Sequence, residues 1–582
     1  MLRARLLALA PALFAIGVVG AARAARAGVT YRVTLDERAQ HRATVEMTVT
    51  GASGPVELWM PVWTPGAYEL RTWGRNVTPL SPGMVRTGPS TFRVDGGGDG
   101  TVKLRDRVYA AKLTDDGTNI DGGHALLNGS SLFLAVRGQE RGLHEVRVTL
   151  PAGWRAATAL DEDASGWTAT SYEALIDAPI ECGRFADATA RAAGRSYRIV
   201  VDGSPTVPAK FVEDVGKIVE AETHLAGAPP YHHYVIVVHL SDEAGRVAAL
   251  EHAASTSILV PRQSLTDPDA YDELTYVVAH ELFHAWNARR LRPAELVPYD
   301  LLHAQPSRAL WITEGLTEYF AHRAMLRSGR WSRVDWFSHV GDEAGRAFAA
   351  SRHGGTIEEA AELTWQPPDD GDDDWDAYYA RGHLLALGVD AAMRVASGGK
   401  HGLDEAIRAL LDEAERAGGV LPVDADRLGR AVDALTPGVG AKLVRWARTP
   451  NEAPAIAESL GAIGLSLPCK ETPPHTVAGF SAERQGDALR VLVVGDGGPA
   501  DLAGVKSGDR VVTFDGVAPP PKWPEAVGKR AAGSALVLGV VRGTHPLVLH
   551  LTLTSERDTV CKLATAPATP AVTKLRDQFL GQ

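Results

Sequence analysis

The stretch Ala279-His280-Glu281-Leu282-Phe283-His284-Ala285-Trp286-Asn287 constrains this chain more than any other. In a helix, residues four apart share a face. The imidazoles of His280 and His284 can then both reach one metal ion, with Glu281 on the same arc, close enough to take a proton from a metal-bound water. The surroundings read as helical. Asp267 is a capping residue followed by Pro268 in the first turn. Leu274, Val278, Leu282 and Ala285 recur at helical spacing as an apolar stripe. Pro293 is expected to close the helix. The competing reading is a surface helix carrying two satisfied histidines.

This is the H-E-x-x-H pattern of zinc peptidases. A catalytic Zn2+ takes three protein ligands and keeps a fourth position for water, so the two histidines are one ligand short. Glu314 is the candidate third ligand, in the helical stretch Trp311-x-x-Glu314-Gly315-x-Thr317-x-Tyr319. Glu318 is its rival, more simply read as an outer or surface residue. Zinc would polarise a peptide carbonyl. Glu281 would serve as general base and then return the proton to the leaving amine.

With 582 residues, the chain has room for three or four domains. Residues 1–27 read as a signal peptide: Arg3 and Arg5, the apolar run Leu6 to Val19, then two A-x-A cleavage candidates. That run is short for a membrane span, and no second apolar run of spanning length follows. An exported, periplasmic or secreted protein is expected, with no transmembrane segment after signal removal. Residues 28–198 alternate apolar and polar in short runs, as in an antiparallel β domain. Residues 199–460 begin with a central strand at Val235–Leu240, carry the H-E-x-x-H helix and become mostly helical. The net charge of −11, without a long basic run, argues against nucleic acid or an anionic membrane surface as partner. The run Asp369 to Asp376 could hold calcium but reads more simply as a solvated loop. Cys182, Cys469 and Cys561 allow one disulfide, and Cys469 with Cys561 could bracket the C-terminal domain; three unpaired thiols are an equal alternative.

Residues 461–556 return to short strands. Gly498 to Gly516 resembles the helix-turn-strand core of a PDZ domain, a module that captures a chain terminus or strand. Gly464 to Leu467 is a weak match to its carboxylate-binding loop. The tail, 557–582, is rich in Ala, Thr and Pro and is expected to be loose.

Taken together, the chain resembles the glycyl aminopeptidase family of exported, PDZ-bearing metallopeptidases, whose catalytic core is related to thermolysin and the larger zinc aminopeptidases. The resemblance runs through Pro61–Tyr68, a turn that by itself reads as packing, then His280–Asn287 with Arg290–Pro293, Trp311–Tyr319 and the PDZ core. It implies a multidomain α+β protein: an N-terminal β domain, a thermolysin-like catalytic domain and a C-terminal PDZ domain. It implies peptide substrates with a free N-terminus and small first residues, Gly or Ala. It adds two sites. Leu250-Glu251-His252 with Ser255 matches the family's G-L-E-H-x-x-S stretch, with Ala249 in place of the glycine. Glu251 is thereby implied to hold the substrate's amino group. Tyr378-Tyr379-Ala380-Arg381-Gly382 resembles the Tyr-x-Lys-Gly segment, so Tyr379, with Tyr378 as fallback, is implied to stabilise the oxyanion. Arg381 stands where lysine is usual. A broader endopeptidase and an inactive PDZ adaptor are the alternatives.

Overall fold

The computed structural model describes residues 28–52, 54–96, 100–163, 166–242, 247–352, 354–366, 377–495 and 497–581. The expected signal peptide and the run Asp369–Asp376 lie outside them. Strand-period alternation builds the first part of the chain. Val29, Tyr31 and Val33 of Gly28–Thr34 turn inward, and the residues between them do not. This strand lies within a seven-stranded sheet, antiparallel to Arg42–Thr50 but parallel to Leu143–Thr149. The parallel pair departs from the all-antiparallel expectation. A parallel neighbour needs a crossover connection, supplied by the long excursion between Tyr109 and Leu143. Two four-stranded sheets complete this region, one ordered Arg155–Ala157, Ile180–Gly183, His124–Leu127, Asn119–Ile120.

The next sheet has five strands, with His233–Ser241 at its centre. That strand is buried on both faces and parallel to both neighbours, Arg195–Asp202 and Ser255–Pro261. Its unbroken Tyr234-Val235-Ile236-Val237-Val238 run is what such burial selects. Ala248–Glu251 is an antiparallel edge strand, so Glu251 ends at the rim of the sheet. Arg195–Asp202 crosses the boundary expected at residue 198 and, with Ala186–Ala192, belongs to this sheet. Helices follow, including Pro268–Phe283, Leu310–Arg327 and Tyr378–Ser397. The N-terminal sheets, this sheet and the helices share one continuous apolar core.

The C-terminal part hangs on a stem. Leu465–Ser466, Cys469–Glu471 and His475–Val477 pair in turn with Ala564–Thr565, Thr559–Cys561 and Thr554–Glu556. Cys469 and Cys561 lie opposite each other there and are disulfide-bonded, while Cys182 is buried and free. Beyond the stem is a five-stranded antiparallel sheet with a separate core, including Leu489, Val505, Phe514 and Leu538. Two sequence expectations fail here. Gly464–Leu467 is committed to the stem by backbone pairing, so it is no open loop on that sheet. The tail is not loose: helix Pro570–Phe579 returns to the helical region, where Phe579 is fully buried against Trp336. Among the described residues, no helix is long and apolar enough to cross a membrane.

Candidate metal centre

Asp267 caps the helix Pro268–Phe283 by accepting from the backbone N–H groups of Asp269 and Ala270. Leu274, Val278, Leu282 and Ala285 are all buried, as their spacing required. The helix ends at Phe283, well before Pro293, which lies in the short strand Leu291–Pro293. Tertiary hydrogen bonds, rather than proline, stop it. Asn287 Nδ2 donates to the carbonyls of Ile312 at 2.7 Å and Thr313 at 2.9 Å, and Ala288 takes φ +80°. The same bonds tie this turn to the helix that carries Glu314.

Glu314 lies on Leu310–Arg327, and Tyr379 lies near the start of Tyr378–Ser397. The two helices cross at Gly315 and Gly382, where a Cβ on Gly315 would lie 2.5 Å from the Gly382 Cα. Only glycine permits that approach, and it brings Tyr379 close enough to Glu314 for the carboxylate's charge to act on its phenol. His280 Nε2 and His284 Nε2 are 2.9 Å apart. Glu314 Oε2 lies 3.5 Å from the first and 3.3 Å from the second. A tetrahedral ion with bonds of about 2.0–2.1 Å spaces its donors about 3.3 Å apart. The donor set therefore fits zinc in number, chemistry and spacing. Thr317 Oγ1 lies 3.5 Å from His284 Nδ1, and Glu318 Oε1 lies 3.4 Å from His280 Nδ1. Both approach the rear ring nitrogens, where outer partners fix the tautomer of ligating histidines. This geometry leaves Glu314, not Glu318, facing the shared side.

The charge balance favours a cation. Glu251, Glu281 and Glu314 are all buried. Donor atoms of Glu251, Glu281 and His284 lie within 4.8 Å of one another. Burial raises the Glu281 carboxyl well above its ordinary range, the His284 charge opposes this, and Glu251 and Glu314 add to it. Its Oε2 has no hydrogen-bond partner among the described residues. Burial also acts to raise Glu314, but His284 and His280 outweigh it and hold that carboxyl low. His284 moves the other way, up to about 9, because the neighbouring carboxylates overcome its burial. Arg289 is the nearby fixed cation: its guanidinium lies 3.4 Å from Glu251 Oε1 and 3.3 Å from Asp177 Oδ1.

Tyr379 is half-buried, its ring nearly parallel to His280 with centroids 6.2 Å apart. Burial, then the charge of Glu314, keeps its phenol protonated and hence a donor. Tyr378 and Arg381 turn into the core, and Arg381 forms a buried bidentate pair with Glu452 at 2.9 and 2.8 Å. Arg381 is thus structural, which settles the departure from lysine at that position.

The turn read as packing reaches the site. Gly66 has φ +99°, and a Cβ there would lie 2.7 Å from both Glu251 Oε1 and Leu250 Cδ1. Arg289 donates to the Pro65 carbonyl at 3.3 Å, fixing the turn over Glu251. Two residues on, burial and the charges of Glu314 and Glu251 raise the Tyr68 phenol far above its ordinary range. Tyr68 packs edge-on against Trp365, which in turn meets Trp63. The Pro65-Gly66 pair marked a turn in the sequence, but nothing local could say what that turn would touch.

Residues 30–184 match the Peptidase M61 N-terminal domain, and residues 273–385 match the M61 glycyl aminopeptidase domain. The second segment contains His280, Glu281, His284, Glu314 and Tyr379. No curated protein matches the chain in sequence. Among solved structures, an aminopeptidase N family protein from Idiomarina loihiensis is similar at 23% identity and TM-score 0.75, covering 95% of this chain and 99% of that one. An M1 zinc metallopeptidase from Deinococcus radiodurans bound to a Tyr-Ser-Ala substrate is more distant, at 17% identity and TM-score 0.45, covering 73% of this chain and 94% of that one. The first likeness speaks for the fold over nearly the whole length.

Proposed function

We propose that the chain, which matches M61 glycyl aminopeptidase family models over residues 30–184 and 273–385, is a zinc-dependent aminopeptidase that removes small residues, Gly or Ala, from free N-termini. The observation that carries this reading is the convergence of His280, His284 and Glu314 with two further buried carboxylates, Glu281 and Glu251.

Held by His280, His284 and Glu314, zinc supplies Lewis acidity at the scissile carbonyl. Glu281 takes the proton of the attacking water and delivers it to the leaving amine. Its place beside the donor set and its Oε2, which has no hydrogen-bond partner among the described residues, suit that task. Tyr379 donates its phenolic proton in a hydrogen bond to the developing oxyanion. Glu251 accepts the substrate's α-ammonium in a charge-assisted contact, while Arg289 holds the carboxylate in place from behind. The Gly66 turn presses against Glu251 and Leu250, and Tyr68 lies within reach of the Glu251 and Glu314 charges; on the reading that Glu251 holds the first residue, this crowding supports a preference for small side chains. The broader endopeptidase remains the alternative; the closeness of the Gly66 turn to Glu251 supports the aminopeptidase reading over it.

The C-terminal sheet is read as PDZ-like. In support, Gly498–Gly516 spans the helix Pro499–Leu502 and the strand Arg510–Phe514 of a five-stranded antiparallel sheet. A peptide ligand for it, and export to the periplasm or medium, belong to the same proposal.

A panel of Gly, Ala, Leu and Arg anilides, with and without chelator, tests the reading. Chelator-sensitive turnover with Gly and Ala ahead of Leu and Arg is expected. Equal rates across the panel would remove the small-residue assignment.

A further inference from the structure

A second buried donor cluster lies far along the central strand, where the N-terminal domain meets the catalytic sheet. His124 begins the strand His124–Leu127, and Glu181 lies on its neighbour Ile180–Gly183. His124 pairs with Gly183, so Glu181, two residues along, projects on the same face. Gly183 leaves the space between them open: a Cβ there would lie 3.1 Å from the His124 Cβ and 3.5 Å from Glu181 Oε1. The third member, His239, comes from His233–Ser241 in the other sheet, with its Nε2 3.0 Å from Glu181 Oε2. The two imidazole rings are 5.4 Å apart. One donor atom from each of the three residues lies within 4.8 Å of the others.

The hydrogen bond between His239 and Glu181 does not use up this cluster. Residue exposures are 6% for His124, 0% for Glu181 and 1% for His239, and His124 Nε2, Glu181 Oε1 and His239 Nδ1 have no hydrogen-bond partner among the described residues. Buried polar atoms are rarely left so, and each exception calls for a reason. His124 Nδ1 lies 3.2 Å from Asp121 Oδ2, the carboxylate–histidine arrangement that orients a ligating imidazole and frees its other nitrogen.

We propose that His124, Glu181 and His239 form a second site for a zinc-class divalent cation, one that clamps the N-terminal domain to the central strand of the catalytic sheet. Two imidazoles and a carboxylate suit zinc; calcium and magnesium prefer all-oxygen sets. A bound cation would give His124 Nε2 and Glu181 Oε1 the partner each lacks among the described residues. It also cross-links two sheets at the far end of the strand system that carries Glu251.

The test counts zinc bound per full-length chain, by mass spectrometry of metals, after loading with Zn2+ and desalting. Two ions are expected in the unmodified protein. One is expected in Glu181→Gln and one in the double variant His280→Ala/His284→Ala. A single ion in the unmodified protein and in Glu181→Gln, lost in the double variant, would overturn the proposal while leaving the catalytic centre standing. The reverse pattern, loss only in Glu181→Gln, would support this site and overturn the catalytic one. Anomalous diffraction at the zinc edge from unmodified crystals grown with Zn2+ guards against misfolding of Glu181→Gln. A peak between His124 and His239 is expected, and none there would overturn the proposal.

Discussion

Gly66→Ala reports on the site from a domain that carries none of the zinc donors. The backbone at φ +99° is a region that costs a residue with a side chain about 1–3 kcal/mol. The new Cβ would also lie 2.7 Å from Glu251 Oε1 and 2.7 Å from Leu250 Cδ1. Neither neighbour can yield freely, since Leu250 is buried and Glu251 is held by Arg289. The carboxylate or the turn must shift. If Glu251 holds the α-ammonium, the shift weakens a hydrogen bond to a charged group, worth about 1.5–3 kcal/mol. That is about a ten- to hundredfold loss in kcat/KM on free-amino substrates. An N-acetylated substrate never makes this contact, so its residual rate should hardly change. The assay compares kcat/KM for alanyl anilide and acetyl-alanyl anilide in both proteins, with zinc content and unfolding temperature as controls. A folded, zinc-loaded Gly66→Ala enzyme with an unaltered free-amino rate would refute the link between this turn and Glu251. Equal loss on both substrates would place the effect elsewhere in the cleft.

Other outcomes follow from the same geometry. Glu281→Gln preserves size and removes the base, so it should keep one zinc at the catalytic centre and lose about 10²–10⁴-fold in kcat; metal content and steady-state kinetics decide it. Tyr379→Phe should lower kcat about 10²–10³-fold with little change in KM, and a KM effect alone would reassign Tyr379 to binding. Asp106, in the N-terminal sheet, is raised by burial to about 8. Its folded value exceeds its unfolded one, so stability is full below about pH 4 and is lost as pH rises toward 8. Asp106→Asn should raise the unfolding temperature more at pH 8 than at pH 5, and an equal effect at both would contradict this.

The site was readable to the extent that it was local. His280, Glu281 and His284 lie within one turn and a half, and their chemistry is fixed by helical spacing. Glu314 required only that a second helix be recognised. Glu251 and Tyr379 came through family resemblance, because an edge strand and a distant helix carry no shared period. The role of Gly66 and Tyr68 was invisible: it depends on a turn in one domain meeting a carboxylate in another. The end of the His280 helix was misplaced because Asn287 stops it through bonds to a segment beyond Pro293. The tail was misjudged by composition, since burying Phe579 outweighs a sequence rich in small residues. The His124–Glu181–His239 cluster draws on three strands, and nothing in its spacing marks it.

The central claim is that a zinc centre and a buried carboxylate together make this enzyme read a free N-terminus. The most direct test is cleavage of one alanine-initiated peptide, free and N-acetylated, before and after chelation and with Zn2+ restored. The account predicts cleavage of the free peptide alone, lost on chelation and regained with zinc. Equal cleavage of both peptides would contradict it, whatever the metal content.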